Sequence, residues 1–261
     1  MTPNGPGTAQ VLTALQASFR RHIPSGQTIV HRAVQNALEG HETDTLWIKT
    51  NFSELVEAIQ VGAYQEYLVA EQEAGSEALR DVFLELPAQN ATPAAVLQVV
   101  GDHFQALDKF FLGLTQGRRA RAGKAFEFVI KDLIGRLGYP FTPQAVINGQ
   151  PDFLMPSEEH FRRHAMDAII LTAKRTLRER WRQIVTEGTR GLGFFLATID
   201  EKIASRDLEE MNRARIYIVV PSRVKGVRAD YERAPNVISF EHFFQYYLDP
   251  AMQRWRDSGI I

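Results

Sequence analysis

Asp167-Ala-Ile-Ile-Leu-Thr-Ala-Lys174 is an apolar, β-branched run that closes on a lysine. It is too short for a core helix and is bounded by charge, which predicts a buried strand over Asp167 to Ala173. The stretch that follows, Lys174-Arg-Thr-Leu-Arg-Glu-Arg-Trp-Arg-Gln-Ile-Val-Thr-Glu187, predicts a helix over Arg175 to Glu187 with Trp181, Ile184 and Val185 turned to the core. Gly193 to Thr198 repeats the buried-strand pattern, Asp207 to Asn212 reads as helix, and Arg215 to Val220 is a third strand ended by Pro221. Val237 to Ser239 is a short strand ahead of a closing helix over Phe240 to Arg256. Upstream, Ala145 to Ile147 and Asp152 to Met155 read as short strands around the Asn148-Gly149 turn. Strands alternating with helices predict an α/β fold, a mixed central sheet with helices on both faces.

The first half reads as helices. They are expected over Thr8 to Ile23, Thr28 to Leu38 with Gly40 as its stop, Asn51 to Ala70 and Ser76 to Leu86. Glu54 is placed to close a capping box on Asn51. Thr92-Pro93 opens a further helix that runs through Val96 to Leu114, with Gly117-Arg118-Arg119 as its end. Gly123 to Leu137 is another, stopped by Gly138. The expected division is a helical region, 1–115, and an α/β core, 116–261.

The 261 residues suffice for one large or two small domains, and 44% hydrophobic with 23% charged residues is globular composition. The absence of cysteine excludes disulfides, thiolate metal sites and thiol catalysis. No apolar run is long enough for a membrane span, and the Pro/Gly-rich start lacks the features of a signal peptide. A cytoplasmic protein without membrane partners is expected. The net charge of −1 conceals an asymmetry. Acidic residues crowd Glu39 to Glu85, whereas Lys174, Arg175, Arg178, Arg180, Arg182 and Arg190 make a basic stretch, and Arg118, Arg119, Arg121 and Lys124 make a second. A local basic face governs phosphate attraction, because screening cuts off distant charge within about 8–10 Å at physiological salt. These four residues are candidate phosphate contacts.

Asp152 at the start of one short strand and Lys174 at the end of the next converge at a sheet edge, with Glu187 on the following helix. Paired carboxylates are the hard-oxygen ligands that Mg²⁺ prefers, and a lysine can orient water or stabilise pentacovalent charge. That combination suits phosphodiester hydrolysis. Taken singly, a Pro-Asp turn, a strand-end lysine and a helix glutamate are ordinary surface features. Arg178, Glu179 and Arg180 at a helix start have the chemistry to read neighbouring G·C pairs: arginine is bidentate to guanine, and a carboxylate accepts from cytosine N4. The alternative for them is a solvated ion-pair helix. The seven histidines show no HExxH motif and are read as structural or exposed.

Lys174-Arg-Thr-Leu-Arg-Glu-Arg-Trp-Arg-Gln183, preceded by Pro151-Asp-Phe-Leu-Met-Pro-Ser157, resembles type II restriction endonucleases of the EcoRII/SsoII type, members of the PD-(D/E)XK nuclease superfamily that cut sites built on CC…GG. Arg119-Ala-Arg-Ala-Gly-Lys-Ala-Phe-Glu127, Val219-Val-Pro-Ser-Arg-Val-Lys225 and Val237-Ile-Ser-Phe-Glu-His-Phe243 extend the resemblance, which covers Gln116 to Phe244. It implies a restriction-endonuclease-like core in which Asp152 is a metal ligand, Lys174 the catalytic lysine and Glu187 the second acidic ligand. The superfamily's usual position for that acid is Thr172, which cannot replace it; the EcoRII/SsoII subgroup carries the acid on the next helix instead. The resemblance further implies base recognition by Arg178, Glu179 and Arg180, a minor-groove contact from Gln116, and Glu127 as an extra active-site acid, which reads equally as a plain helix residue. Relatives with odd-length sites can stack extruded central bases on an aromatic residue, for which Trp47 and Phe52 are the candidates, although either taken alone reads more readily as anchoring a loop to the core.

The expected function is Mg²⁺-dependent cleavage of both DNA strands at a short palindromic site of CCNGG, CCWGG or CCGG type, leaving 5′-phosphates and 5′ overhangs. A palindrome calls for a homodimer, with a transient tetramer left open, and host protection calls for a cognate DNA methyltransferase. Two rivals remain at this point: a structure-specific repair nuclease of the same fold, and a non-enzymatic DNA-binding protein with a decayed site.

Overall fold

The computed structural model describes residues 7–84, 92–147, 150–177 and 193–261. Six helices come first: α1 (Thr8–His22), α2 (Gly26–Ala37), α3 (Thr45–Thr50), α4 (Phe52–Leu84), α5 (Pro93–Asp102) and α6 (Phe104–Arg136). The sheet half follows, with β1 (Thr142–Pro143), β2 (Phe153–Met155), α7 (Glu158–Arg163), β3 (Ile169–Ala173), β4 (Gly193–Ala197), α8 (Ser205–Arg213), β5 (Ile216–Val220), α9 (Ser222–Gly226), α10 (Ala229–Arg233) and β6 (Val237–Ser239). The chain closes with α11 (Phe240–Phe243), a π-helical turn over Phe244–Leu248, and α12 (Asp249–Asp257). Among the described residues no helix is long and apolar enough to cross a membrane.

The sheet is mixed, with strands in sequence order. β1–β2 and β2–β3 are antiparallel, and β3–β4, β4–β5 and β5–β6 are parallel. The three long strands are buried almost throughout, as parallel strands covered on both faces must be. Leu154, Ile170, Leu196 and Ile218 pack on one face with Leu208 and Met211 of α8. On the other face Phe195 meets Phe243 and Tyr247, with ring centroids 4.7 and 4.9 Å away. The α/β expectation holds.

Two compact units are resolved by contacts: Met1–Ile29 with Ala63–Ala122, and Val30–Gly62 with Gly123–Ile261. Residues 30–62 therefore fold with the sheet, unlike the expected division at 115/116. The core of the first unit gathers Val11, Leu15 and Phe19 with Ala74, Ala78, Val82, Ala106 and Phe110.

Several sequence expectations need correction. The helices expected over Asn51 to Ala70 and Ser76 to Leu86 are one, α4; Gly75 costs about 1 kcal/mol but breaks nothing, since Ala74 and Ala78 are buried to either side of it. Gly117 does not end a helix, because α6 runs through it to Arg136. The break falls earlier, at His103 between α5 and α6. The true stops are Gly40 and Gly138, at φ +80° and +75°, where a side chain would be strained. The Asn51–Glu54 capping box gives way to another arrangement: Asn51 Nδ2 donates to Trp47 O, and the Glu241 carboxylate accepts from Ser53 N and Ser53 Oγ, each at 2.9 Å. The first strand is Thr142–Pro143; of the stretch Ala145 to Ile147 only Ile147 makes an isolated bridge, because the left-handed backbone at Gln144 ends β1 before it. The closing helix is interrupted by the π turn. The Asn148-Gly149 turn and nearly all of the helix expected over Arg175 to Glu187 lie outside the described residues.

Candidate active site

Antiparallel pairing of Phe153 with Leu171 carries Asp152, just before β2, toward the end of β3 and Lys174. Asp152 is only 6% exposed, yet its Oδ2 is satisfied. It accepts from Ala173 N at 2.8 Å and from Lys174 Nζ at 3.1 Å. The lysine is about a third exposed, so one side of the pair faces water. Its backbone N–H donates to Ala197 O at 2.9 Å, fixing it to β4. The two residues read as partners in the sequence are partners in space.

Glu127 on α6 belongs to the same site. Burial pushes its carboxyl above the ordinary range and the neighbouring Asp152 charge adds to this, while Lys174 and Lys124 pull it back. Gln144 links the Glu127 side chain to the Asp152 backbone. Its side chain lies 3.5 Å from Glu127 Oε1, and its backbone N–H donates to Asp152 O at 3.3 Å. Gln144 has φ +49°, a rare backbone for a residue other than glycine and one that gathers at functional sites. Sequence reasoning missed it, because nothing in a lone glutamine signals a left-handed backbone.

Two crowded carboxylates beside one lysine form a donor set that fits a hard divalent cation, which needs only one or two protein carboxylates besides substrate oxygens. Among the described residues no group of three such side chains gathers. Glu187, the third candidate acid, lies outside the described residues, as do Arg178, Glu179 and Arg180.

A family model described as the EcoRII C terminal matches residues 89–244, more than half of the chain and the whole of this site. The chain belongs to the EcoRII C-terminal family. Relatives agree. The type II restriction enzyme SsoII of Shigella sonnei is 24% identical over 79% of this chain and 71% of its own length. The type II restriction enzyme EcoRII of Escherichia coli is 31% identical over 52% of this chain, a match that takes up 37% of that protein. Enzymes so named are site-specific deoxyribonucleases. Among solved structures, metal-depleted Ecl18kI in complex with uncleaved, modified DNA superposes with a TM-score of 0.78 at 22% identity, covering 97% of this chain and 86% of that one. The complex of restriction endonuclease PspGI with substrate DNA gives 0.61 at 20% identity, covering 90% and 94%. The fold is that of these restriction endonucleases.

Within this EcoRII C-terminal chain the remaining candidates divide. Gln116, Arg119 and Lys124 are exposed along α6. Arg118 and Arg121 are engaged inside their own unit. The Arg118 guanidinium grips Glu71 Oε1 through Nε, at 2.8 Å, and Nη2, and Glu71 is a buried carboxylate at 5% exposure. Tyr67 OH donates to Glu71, and Arg121 donates to Tyr67 OH at 2.7 Å while stacking over its ring. These two arginines hold helices together, so the phosphate-contact expectation carries forward for Arg119 and Lys124. Phe52 is fully buried against Phe240 and Phe244, with ring centroids 4.9 and 4.8 Å away. Its faces are taken by the core, which corrects its reading as a stacking residue. Trp47 on α3 is half-buried and stacks in parallel on His41 at 4.0 Å.

Proposed function

We propose that this member of the EcoRII C-terminal family, a type II restriction endonuclease of the EcoRII/SsoII kind, uses Mg²⁺ to cleave both strands of a short palindromic CC…GG-type DNA site. The site would be CCNGG, CCWGG or CCGG, cut before the first C to leave 5′-phosphates and 5′ overhangs. The observation that carries the reading is the Asp152–Lys174 pair at 3.1 Å, with Glu127 beside it, in the stretch that the family match covers.

Asp152 and Glu187, with Glu127 as a further acid, would hold the metal. When bound it polarises the scissile phosphate and acidifies a water. Lys174, held in place by Asp152 and by its own backbone bond to Ala197, supplies fixed positive charge where the phosphorane develops. Arg178, Glu179 and Arg180, a few residues after Lys174 in sequence, read G·C pairs; Gln116 touches the minor groove, Arg119 and Lys124 touch phosphates, and Trp47 is the remaining aromatic for an extruded base. The enzyme acts as a homodimer in a bacterial or archaeal cytoplasm beside a cognate methyltransferase. Exposed Leu97, Phe104, Phe111 and Leu112 on α5 and α6 support the dimer, since a second copy would cover them.

The test is incubation of the purified protein with phage DNA, with and without Mg²⁺, and sequencing of the fragment ends. Discrete fragments ending at a CC…GG site only with the metal are expected. DNA left intact with several divalent metals would overturn the reading. A smear without sequence preference would replace it with a repair-type nuclease.

A further inference from the structure

The chain leaving the catalytic lysine is tied at Lys174, Arg175 and Leu177 to the exit of β4. Lys174 N donates to Ala197 O at 2.9 Å. Arg175 O accepts from Thr198 Oγ1 at 3.1 Å. Leu177 N donates to Asp200 Oδ2 at 2.9 Å, and the Leu177 side chain is buried. The clamp is itself braced. Asp200 N donates to Thr198 Oγ1 at 3.1 Å, Lys202 N donates to Asp200 Oδ1 at 2.9 Å, and Tyr231 OH donates to Asp200 O at 2.8 Å. Thr198 is fully buried, so its hydroxyl is committed to these two bonds. Both carboxylate oxygens of Asp200 are used on backbone N–H groups, one on Leu177 after β3 and one on Lys202 after β4.

The geometry points to Thr198 and Asp200 as positioning residues that couple recognition to catalysis. They fix residues 174–177, whose two ends are the catalytic lysine and the residue bonded directly to Arg178. A base-reading side chain works only if its backbone is held to a fraction of an ångström, and Leu177 N–H is the last described anchor before those side chains begin. Neither residue touches DNA chemistry itself. The role deepens the restriction-endonuclease reading and rests on it.

The test compares Thr198→Val, which keeps shape and loses the hydroxyl, with Thr198→Ser, which keeps the hydroxyl, and adds Asp200→Ala. Binding is measured in metal-free buffer to a duplex carrying the centre that the wild-type enzyme cleaves, and to the same duplex with one G·C pair replaced by A·T. Thr198→Val and Asp200→Ala should lose about tenfold in affinity for the first duplex, the low end for one bidentate base contact, and nothing for the second. Thr198→Ser should restore the ratio between the two. A fall in melting temperature with the ratio unchanged would overturn the proposal and leave a plain structural role. Wild-type protein that prefers neither duplex would instead overturn the underlying restriction reading.

Discussion

The Lys174 ammonium sits 3.1 Å from Asp152 Oδ2, and the same oxygen accepts the Ala173 N–H at 2.8 Å. One carboxylate oxygen thus joins the end of β3 to the entry of β2. Under the proposed function the other would serve the cation. Removing either partner should stop chemistry without dismantling DNA binding. Asp152→Asn and Lys174→Ala are expected to lose at least about 10²-fold in cleavage rate, the worth of one fixed charge at a transition state. Binding to the cognate duplex in metal-free buffer should hold, and for Asp152→Asn should tighten, because a negative charge facing phosphate is gone. Gel-shift and single-turnover cleavage with each variant check this; loss of binding in step with cleavage would contradict it.

Gln144 offers a sharper separation of side chain from backbone. Its φ of +49° suits glycine, so Gln144→Gly keeps the turn and removes only the amide beside Glu127. Cleavage at saturating DNA should slow by about tenfold, in the range of outer-shell partners of a metal site. The half-saturating Mg²⁺ concentration should rise while the melting temperature stays put. Full activity in this variant would mean that Gln144 serves as a turn residue alone.

Glu71 is a stability prediction. Glu71→Gln leaves Arg118 without its anionic partner and Tyr67 OH with a poorer acceptor. Breaking a fully buried ion pair costs about 3–5 kcal/mol, but the Arg118 side chain is 40% exposed and water will screen part of that. A loss of about 2 kcal/mol is expected by urea titration, with cleavage per folded molecule unchanged.

Asp81 sets an acid limit on the first unit. Hydrogen bonds from Ser18 and then His22 hold its carboxyl down at about 2, against an ordinary value of 3.8. A carboxylate lowered in the fold stabilises it at pH values above 3.8, and that contribution disappears as pH falls from 3.8 through about 2. Asp81→Asn should therefore melt lower than wild type at pH 7, and the gap should close across that acid window. Thermal melts in a pH series check the trend; a constant gap would refute it.

The strands could be read from the sequence because β3, β4 and β5 are continuous apolar runs, and continuous burial on two faces leaves few other structures. The Asp152–Lys174 pair could be read because each residue sits at a strand end, and strand ends are set by local pattern. Helix limits were less legible. Gly75 and Gly117 look like stops, yet contacts distant in sequence keep the helices running, with Ala78 and Phe110 packed against α1 side chains. Trp47 and Phe52 look alike as aromatic residues of one loop-like stretch, and only the tertiary structure separates them. Phe240 and Phe244, nearly two hundred residues further on, bury one and leave the other at the edge. Likewise no local pattern marks Gln144, Thr198 or Asp200, whose roles rest on bonds to Glu127, Asp152, Arg175, Leu177 and Tyr231, all distant in sequence. Sequence alone named the candidates for the chemistry, through side-chain type, strand-end position and family resemblance. Tertiary structure decided which of them are committed to the core and which backbone holds the rest in place, because burial and hydrogen-bond partners are properties of distant parts of the chain brought together.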